Sequence, residues 1–169
     1  LLQTSSDYRD FDQPQVALSI RFGTPEQWPH LQAEKLLDGE WFPVCAPDFL
    51  ARYPALASAD PKAFANVPLL HQATQPGAID SWESWIGSER LLPGPRFSSY
   101  MSMMHVTIAG RGAALAWGGF ADEHLRRGQI VRLAATARRH EGGFYILTRR
   151  NAGPVVRTVA RALLDSVRA

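Results

Sequence analysis

Apolar residues along this chain recur with two spacings, every second position in some segments and every third or fourth in others. The first spacing is typical of strands and the second of amphipathic helices. Alternating or continuous apolar runs predict strands at 15–22, 36–45, 67–71, 96–100, 113–117, 129–133 and 144–148. Helical spacing, with capping residues at the ends, predicts helices at 47–51, 60–66, 81–86, 101–109, 121–128 and 154–168. Strands that alternate with helices indicate an α/β fold with a largely parallel sheet.

Three local features make this prediction more specific. Pro43 lies inside the second strand and indicates an edge strand or an irregular one. The segment Gly110-Arg111-Gly112 follows a helix and precedes a buried strand, so its glycines end the helix. The last helix is predicted to turn one apolar side inward, formed by Val155, Val156, Val159, Leu163 and Val167.

The composition is that of an ordinary globular chain. Its 169 residues are enough for one domain or two small lobes. No apolar run reaches the roughly 18 residues that a membrane span needs. The single cysteine, Cys45, and the lack of a signal peptide at the start lead us to expect a cytoplasmic protein.

The net charge of +2 conceals an asymmetry along the chain. Residues 1–125 carry 8 Lys or Arg against 14 Asp or Glu, whereas residues 126–169 carry 10 Arg against 2 acids. Such a basic segment could contact nucleic acid or an anionic ligand. The arginines are spaced rather than contiguous, which favours solvated helix and loop surfaces.

No familiar catalytic or cofactor motif is found. The order helix, glycines, strand is the reverse of a phosphate-binding loop, and the five histidines lack metal-ligand spacing. There is no G-x-S-x-G elbow, and an inert thiol is favoured for Cys45. We therefore expect no cofactor and no metal. The turn Ser98–Ser102 at a helix start is either a site for an anion or plain helix capping, and both interpretations stay open.

Six segments in the same order resemble the effector-binding domain of LysR-type transcriptional regulators, nearest the branch of the glycine-cleavage and β-lactamase activators. They are VALSIRFG (16–23), LLDGEWFPVCAPDFLAR (36–52), PLLHQ (68–72), WESWIGSERL (82–91), the long segment 94–133, and FYILTRRNAGPVVRTVARALLDSV (144–167). The resemblance covers nearly the whole chain.

This resemblance implies a type 2 periplasmic-binding-protein-like fold, with two α/β lobes joined by a two-stranded hinge. Lobe I would comprise 1–40 and 143–169, and lobe II 41–142. Lobe I would lack its first strand and helix, and the N-terminal helix-turn-helix DNA-binding domain of the family would be absent from this chain.

The resemblance also implies a function and a site. The chain would be a regulatory, non-enzymatic domain that binds a small effector between the lobes, with an anion as one candidate. It would belong to a homodimer or homotetramer that binds DNA through the missing domain and has no membrane contact. By position, the effector-binding residues would be Arg21, Phe22, Gly23, His71, Thr74, Ser99, Met101, Ser102, Trp117 and Gly118. The alternatives are a solute-binding protein or enzyme of the same fold and, third, direct DNA binding by the arginines of 126–169.

Overall fold

The computed structural model describes residues 16–58, 60–73, 81–89, 92–134 and 137–168. They form two compact units. Unit 1 contains the described residues up to Gly39 and from Arg139 onward, and unit 2 is Glu40–Arg138. Two long strands, β2 (Leu31–Cys45) and β7 (Arg138–Arg149), contribute residues to both units.

Unit 1 is a small sheet with one helix packed on it. Strand β1 (Leu18–Gly23) pairs antiparallel with β7, which lies between β1 and β2. Helix α6 (Pro154–Arg168) begins and ends at the predicted residues. Its Ala160 and Leu164 pack against Ile146 of β7, and this cluster forms the core on that face of the sheet.

In the residues that the structure describes, unit 2 carries the rest of the sheet and five short α-helices. Strand β5 (Ala113–Trp117) pairs antiparallel with the later part of β2 and parallel with β3 (Leu69–Gln72). Strand β4 (Arg96–Phe97) pairs parallel with β3, and β6 (Val131–Arg132) pairs antiparallel with β2. The helices are α1 (Pro47–Arg52), α2 (Pro61–Phe64), α3 (Trp82–Ile86), α4 (Tyr100–Ile108) and α5 (Asp122–Arg126).

The α/β class is confirmed, but the expectation of a largely parallel sheet is wrong. The sheet is mixed, because the long strands β7 and β2 run opposite to β1 and β5 respectively. All five residues of β5 are buried, as the continuous apolar run predicted. The core of unit 2 forms where Met103 and Met104 of α4 pack with the buried residues of β2, β3 and β5.

Capping residues end the helices largely as the sequence predicted. Gly110 has φ +68°, and its N–H donates to Thr107 O while the Arg111 N–H donates to Val106 O. These two bonds form a Schellman motif, which requires a left-handed residue after the helix. A Cβ on Gly112 would lie 2.7 Å from Leu70 Cγ, so this second glycine permits the close approach to β3. The Gly110–Gly112 segment is therefore structural.

The prediction of an edge strand at Pro43 is wrong. Pro43 lies opposite Leu115 of β5, while the next residues of β2 pair with β6 on the other side. The Pro43 carbonyl accepts a hydrogen bond from the Leu133 N–H at 2.9 Å. Strand β6 is only two residues long, so a proline without an N–H fits beside it at little cost in lost ladder bonds.

The predicted buried side of α6 is only partly correct. Val155 and Val159 are 75% and 48% exposed, and Val167 is also exposed. The buried arc instead includes Ala160 and Leu164, with Leu163 partly buried beside it. Counting the larger aliphatic residues overlooked Ala160, whose small side chain lets the helix approach the sheet.

The other differences concern the ends of strands and helices. Strand β2 begins at Leu31 and β7 at Arg138, so both are longer than predicted. Strand β4 ends at Phe97 rather than at Tyr100, because Ser99 caps α4 and Tyr100 is its first residue. Helix α2 ends at Phe64 and α5 at Arg126, so both are shorter than predicted.

Candidate functional site

In unit 2, most of the predicted site residues lie where strands end and α4 begins. Parallel strands β3 and β5 finish at the same edge, with Gln72 and Trp117 as their last residues. Ligands of α/β proteins bind at such carboxyl edges. Six predicted residues belong to this region of unit 2: His71, Ser99, Met101, Ser102, Trp117 and Gly118.

The first turn of α4 presents unpaired backbone donors. The Ser99 hydroxyl accepts a hydrogen bond from the Ser102 N–H at 3.3 Å, and Ser99 O accepts from the Met103 N–H. The N–H groups of Tyr100 and Met101 have no partner among the described residues. Met101 is 52% exposed. The capping interpretation is confirmed, since Ser99 caps the helix. The anion site stays a prediction, and the two remaining donors are groups that an acceptor could bind.

Tyr100 joins α4 to the end of β5, a contact that the sequence prediction missed. Its hydroxyl accepts a hydrogen bond from the Trp117 N–H at 3.3 Å. Burial of the hydroxyl raises the pKa of Tyr100, so the group stays protonated and neutral. The only signal in the sequence is a tyrosine directly after the capping serine.

His71 is enclosed at the end of β3 and is only 4% exposed. Its Nε2 lies 3.4 Å from Pro93 O. A carbonyl oxygen can only accept, so in the neutral ring Nε2 carries the proton and Nδ1 is an acceptor. Burial lowers the pKa of His71, and Arg96 adds to this effect, whereas Glu83 and the contact with Pro93 oppose it.

A depression lies beside His71, within unit 2. It opens to solvent, and its cavity volume is about 20 Å³. It is lined by Leu70, His71, Gln72, Ser81, Trp82, Glu83, Arg96, Met103 and Leu115. Ser81, Glu83 and Arg96 escaped the sequence prediction because they lie on separate elements and form no spacing motif.

Helix α3 holds Glu83 at this depression. The Trp82 indole Nε1–H donates to Leu70 O at 3.0 Å, and Ser81 caps the helix by accepting from the Ser84 N–H. At the other end, the Arg138 guanidinium donates to Ser84 O and Trp85 O, each at 2.7 Å. These bonds fix a helix that has only five residues.

The remaining predicted residues lie elsewhere. Arg21, Phe22 and Gly23 end β1 in unit 1, where the Phe22 ring lies 5.1 Å from the Phe144 ring. A Cβ on Gly23 would collide with the Gln27 and Trp28 side chains. Thr74 lies outside the described residues.

The described residues give little support for a reactive thiol, a metal site or a membrane span. Burial raises the pKa of the Cys45 thiol to about 11, which makes a reactive thiolate unfavourable. Within the described residues, no group of three or more His, Cys, Asp or Glu could hold a metal ion. No helix among them is long and apolar enough to cross a membrane.

Two α/β units that share two long strands, with candidate residues at strand ends, define a bilobal class of ligand-binding domain. Residues 4–168 match the model of the LysR substrate binding domain, and the chain belongs to that family.

The chain is similar to the HTH-type transcriptional regulator TrpI of Pseudomonas aeruginosa, with 30% identity over 135 residues. The alignment covers 77% of this chain and 45% of TrpI, so the chain spans less than half the length of that relative.

Solved structures show the same fold. The effector domain of AmpR from Pseudomonas aeruginosa matches with a TM-score of 0.70 at 20% identity, over 94% of this chain and 75% of that one. The regulatory domain of CrgA from Neisseria meningitidis matches with a TM-score of 0.74 at 16% identity, over 97% and 81%. The family favours a ligand-sensing regulatory domain over a solute-binding protein or an enzyme.

Proposed function

We propose that this chain senses a small effector for a bacterial LysR-type transcriptional regulator and has no catalytic activity of its own. The observation that carries the proposal is the first turn of α4, where two N–H groups without a partner in the described residues and the exposed Met101 lie close to the end of β5. A helix start of this kind binds a carboxylate or another hydrogen-bond acceptor.

We further propose the effector-binding set that the sequence predicted. The set comprises His71, Ser99, Met101, Ser102, Trp117 and Gly118 of unit 2, Arg21, Phe22 and Gly23 of unit 1, and Thr74, which lies outside the described residues. The predicted lobes, 1–40 with 143–169 and 41–142, belong to the same proposal. Effector binding would shift the domain between two arrangements, which requires that the effector bind one of them more tightly.

The partners of the whole regulator are also proposals. DNA would be bound by a helix-turn-helix domain outside this chain, in a homodimer or homotetramer. A protein that acts on bacterial DNA works in the cytoplasm, which we propose as its location.

Thermal-shift screening of the chain against amino acids, aromatic acids and cell-wall fragments tests the proposal. A ligand that binds only the folded state raises the melting temperature, and the rise grows with its concentration. Ser99→Ala and Arg21→Ala should each reduce the shift caused by a hit. Each variant is compared with its own ligand-free melting temperature, since loss of the Ser99 cap itself costs about 1 kcal/mol.

Ser166→Ala is the matched control, because Ser166 lies on α6 and its hydroxyl bonds only to Leu163 O among the described residues. A panel without any hit contradicts the sensing function. A hit whose shift is unchanged in both variants contradicts the proposed residues.

A further inference from the structure

The depression beside His71 is lined by one carboxylate and one guanidinium that do not pair with each other. Glu83 lies on α3 and Arg96 on β4. Neither forms an ion pair with a described residue, although Glu123, Asp38 and Glu40 of the same chain all do. Opposite charges that share a depression without neutralising each other are a complement for a ligand that carries both signs.

The Glu83 carboxylate is fixed and ionised. Its Oε1 accepts a hydrogen bond from the Leu92 N–H at 2.8 Å. Burial pulls the pKa of Glu83 upward, but the hydrogen bonds from Leu92 and from its own backbone, the nearby His71 and the hydrogen bond from Ser81 outweigh this effect, and the pKa is lowered overall. Glu83 therefore offers a full negative charge to the depression at neutral pH.

His71 adds a neutral acceptor next to this charge. Its Nε2 side is covered by the loop at Gly94, where an added Cβ would lie 2.9 Å from Nε2. Its Nδ1 has no hydrogen-bond partner in the described parts of the chain. A carboxylate and an imidazole acceptor together suit an ammonium group, which has three donors and no acceptor.

Arg96 supplies the opposite charge. It lies directly across from His71 in the parallel pairing of β4 with β3, so the two side chains project from the same face of the sheet. Arg96 is exposed. Its planar guanidinium suits a carboxylate, which it can bind through two parallel hydrogen bonds.

We propose that this depression binds the head group of a free α-amino acid, with the ammonium on Glu83 and His71 Nδ1 and the carboxylate on Arg96. The enclosed space admits one small group, the ammonium, and the exposed Arg96 holds the carboxylate at the solvent side. The amino-acid side chain therefore extends outward. The inference deepens the proposed function and rests on it for one step only, that the bound amino acid is the effector.

Isothermal titration calorimetry on the full chain tests the binding itself, with L-alanine, L-serine and L-phenylalanine as probes. N-acetyl-L-alanine lacks the positive charge and L-alaninamide lacks the negative one, so both should bind at least about tenfold more weakly than L-alanine. Glu83→Gln should weaken binding of the amino acids by a similar factor, because glutamine keeps an acceptor for the Leu92 N–H but loses the charge. Arg96→Gln should do the same.

Glu89→Gln and Arg111→Gln are the matched controls, since both residues are exposed charges of unit 2 that do not line the depression. Binding unchanged in either Glu83→Gln or Arg96→Gln, equal binding of the acetylated or amidated probe, or no binding of any of the three amino acids overturns the proposal. Arg96 is exposed, so its variant is informative even if Glu83→Gln unfolds.

A separate experiment tests whether the bound amino acid is the effector. A reporter gene under the full-length regulator should respond to the amino acid that binds, and the response should be lost with Arg96→Gln. Calorimetric binding without a reporter response contradicts the effector role and leaves the site intact. A thermal-shift hit that is not an amino acid, with no amino-acid binding, contradicts the zwitterion site and leaves the sensing function intact.

Discussion

Tyr100 shows how one hydroxyl can position a site. It holds the first turn of α4 against the Trp117 backbone, where two free N–H groups and the exposed Met101 are presented. The sequence predicted the serines and Met101 of this turn, because a cap before an apolar helix is a local pattern. It could not predict Tyr100, since the contact depends on where β5 ends, 17 residues further along the chain.

Tyr100→Phe should lower the free energy of unfolding by about 1 kcal/mol, because the partly enclosed Trp117 N–H loses an acceptor. Tyr53→Phe is the matched control, since the Tyr53 ring packs on Phe49 and its hydroxyl has no partner in the described residues. Urea denaturation of both variants measures the difference. Equal stability of the two variants would show that the bond at 3.3 Å contributes nothing.

His71 makes the stability of the chain depend on pH. Its pKa lies below the ordinary value of 6.5, chiefly because the ring is buried. The unfolded chain therefore binds more protons in acid, and the contribution of His71 is present above about pH 6.5 and lost as the pH falls toward the lowered pKa. The groups that act on it are Arg96, which lowers the pKa, and Glu83, which raises it.

His71→Gln should flatten the dependence of the unfolding free energy on pH below about 6.5 relative to the parent chain. His105→Gln, a change at an exposed histidine of α4, is the matched control variant. Urea denaturation at a series of pH values measures both. A variant profile parallel to that of the parent would mean that another group carries the acid sensitivity.

Helix α6 separates what a sequence pattern can predict about an element from what it cannot. Pro154 near its start and the helical spacing of its apolar residues predicted its ends correctly. The prediction of its buried side was partly wrong, because its apolar residues span a wide arc and packing against the sheet determines which of them are buried. The buried part centres on Ala160 and Leu164, and Val155 faces solvent.

Leu164→Ala should cost about 2–3 kcal/mol of unfolding free energy, because it removes a buried side chain and leaves a cavity against the sheet. Val155→Ala, on the same helix, should lie within about 0.5 kcal/mol of the parent, since Val155 is mostly in water already. Urea denaturation compares the two variants. The opposite order would mean that Val155 is covered in solution.

On the scale of the whole molecule, the depression beside His71 shows why the candidate site could be predicted only in part. The resemblance to the family predicted site residues at the ends of strands, because ligands of this class of fold bind there. The depression depends on which side chains of α3, β3 and β4 converge, and this convergence is set by bonds such as Trp82 Nε1–H to Leu70 O. No spacing in the sequence records such contacts.

The arginines that are concentrated near the end of the sequence are divided between the two units of the fold. Residues 126–138 belong to unit 2 and the later arginines to unit 1. Arg126 and Arg127 pair with Glu123, and Arg132 lies 3.7 Å from Glu40 and over the Phe42 ring. Most arginines of the segment 126–169 in the described structure therefore have an ion-pair or backbone hydrogen-bond partner.

The Arg138 and Arg150 side chains also donate hydrogen bonds to backbone carbonyls. Arg138 donates to two carbonyls of α3 and Arg150 donates to Pro29 O. Because the described arginines form no continuous row of unpaired side chains, few phosphates can be neutralised at once, so binding of duplex DNA by this chain should be weak and only slightly sensitive to salt. Fluorescence anisotropy with a labelled random-sequence duplex should show no binding at an ionic strength of about 0.15 M. Binding that persists at this salt and is lost with Arg157→Gln and Arg161→Gln would instead assign DNA contact to α6, because both arginines are exposed on that helix.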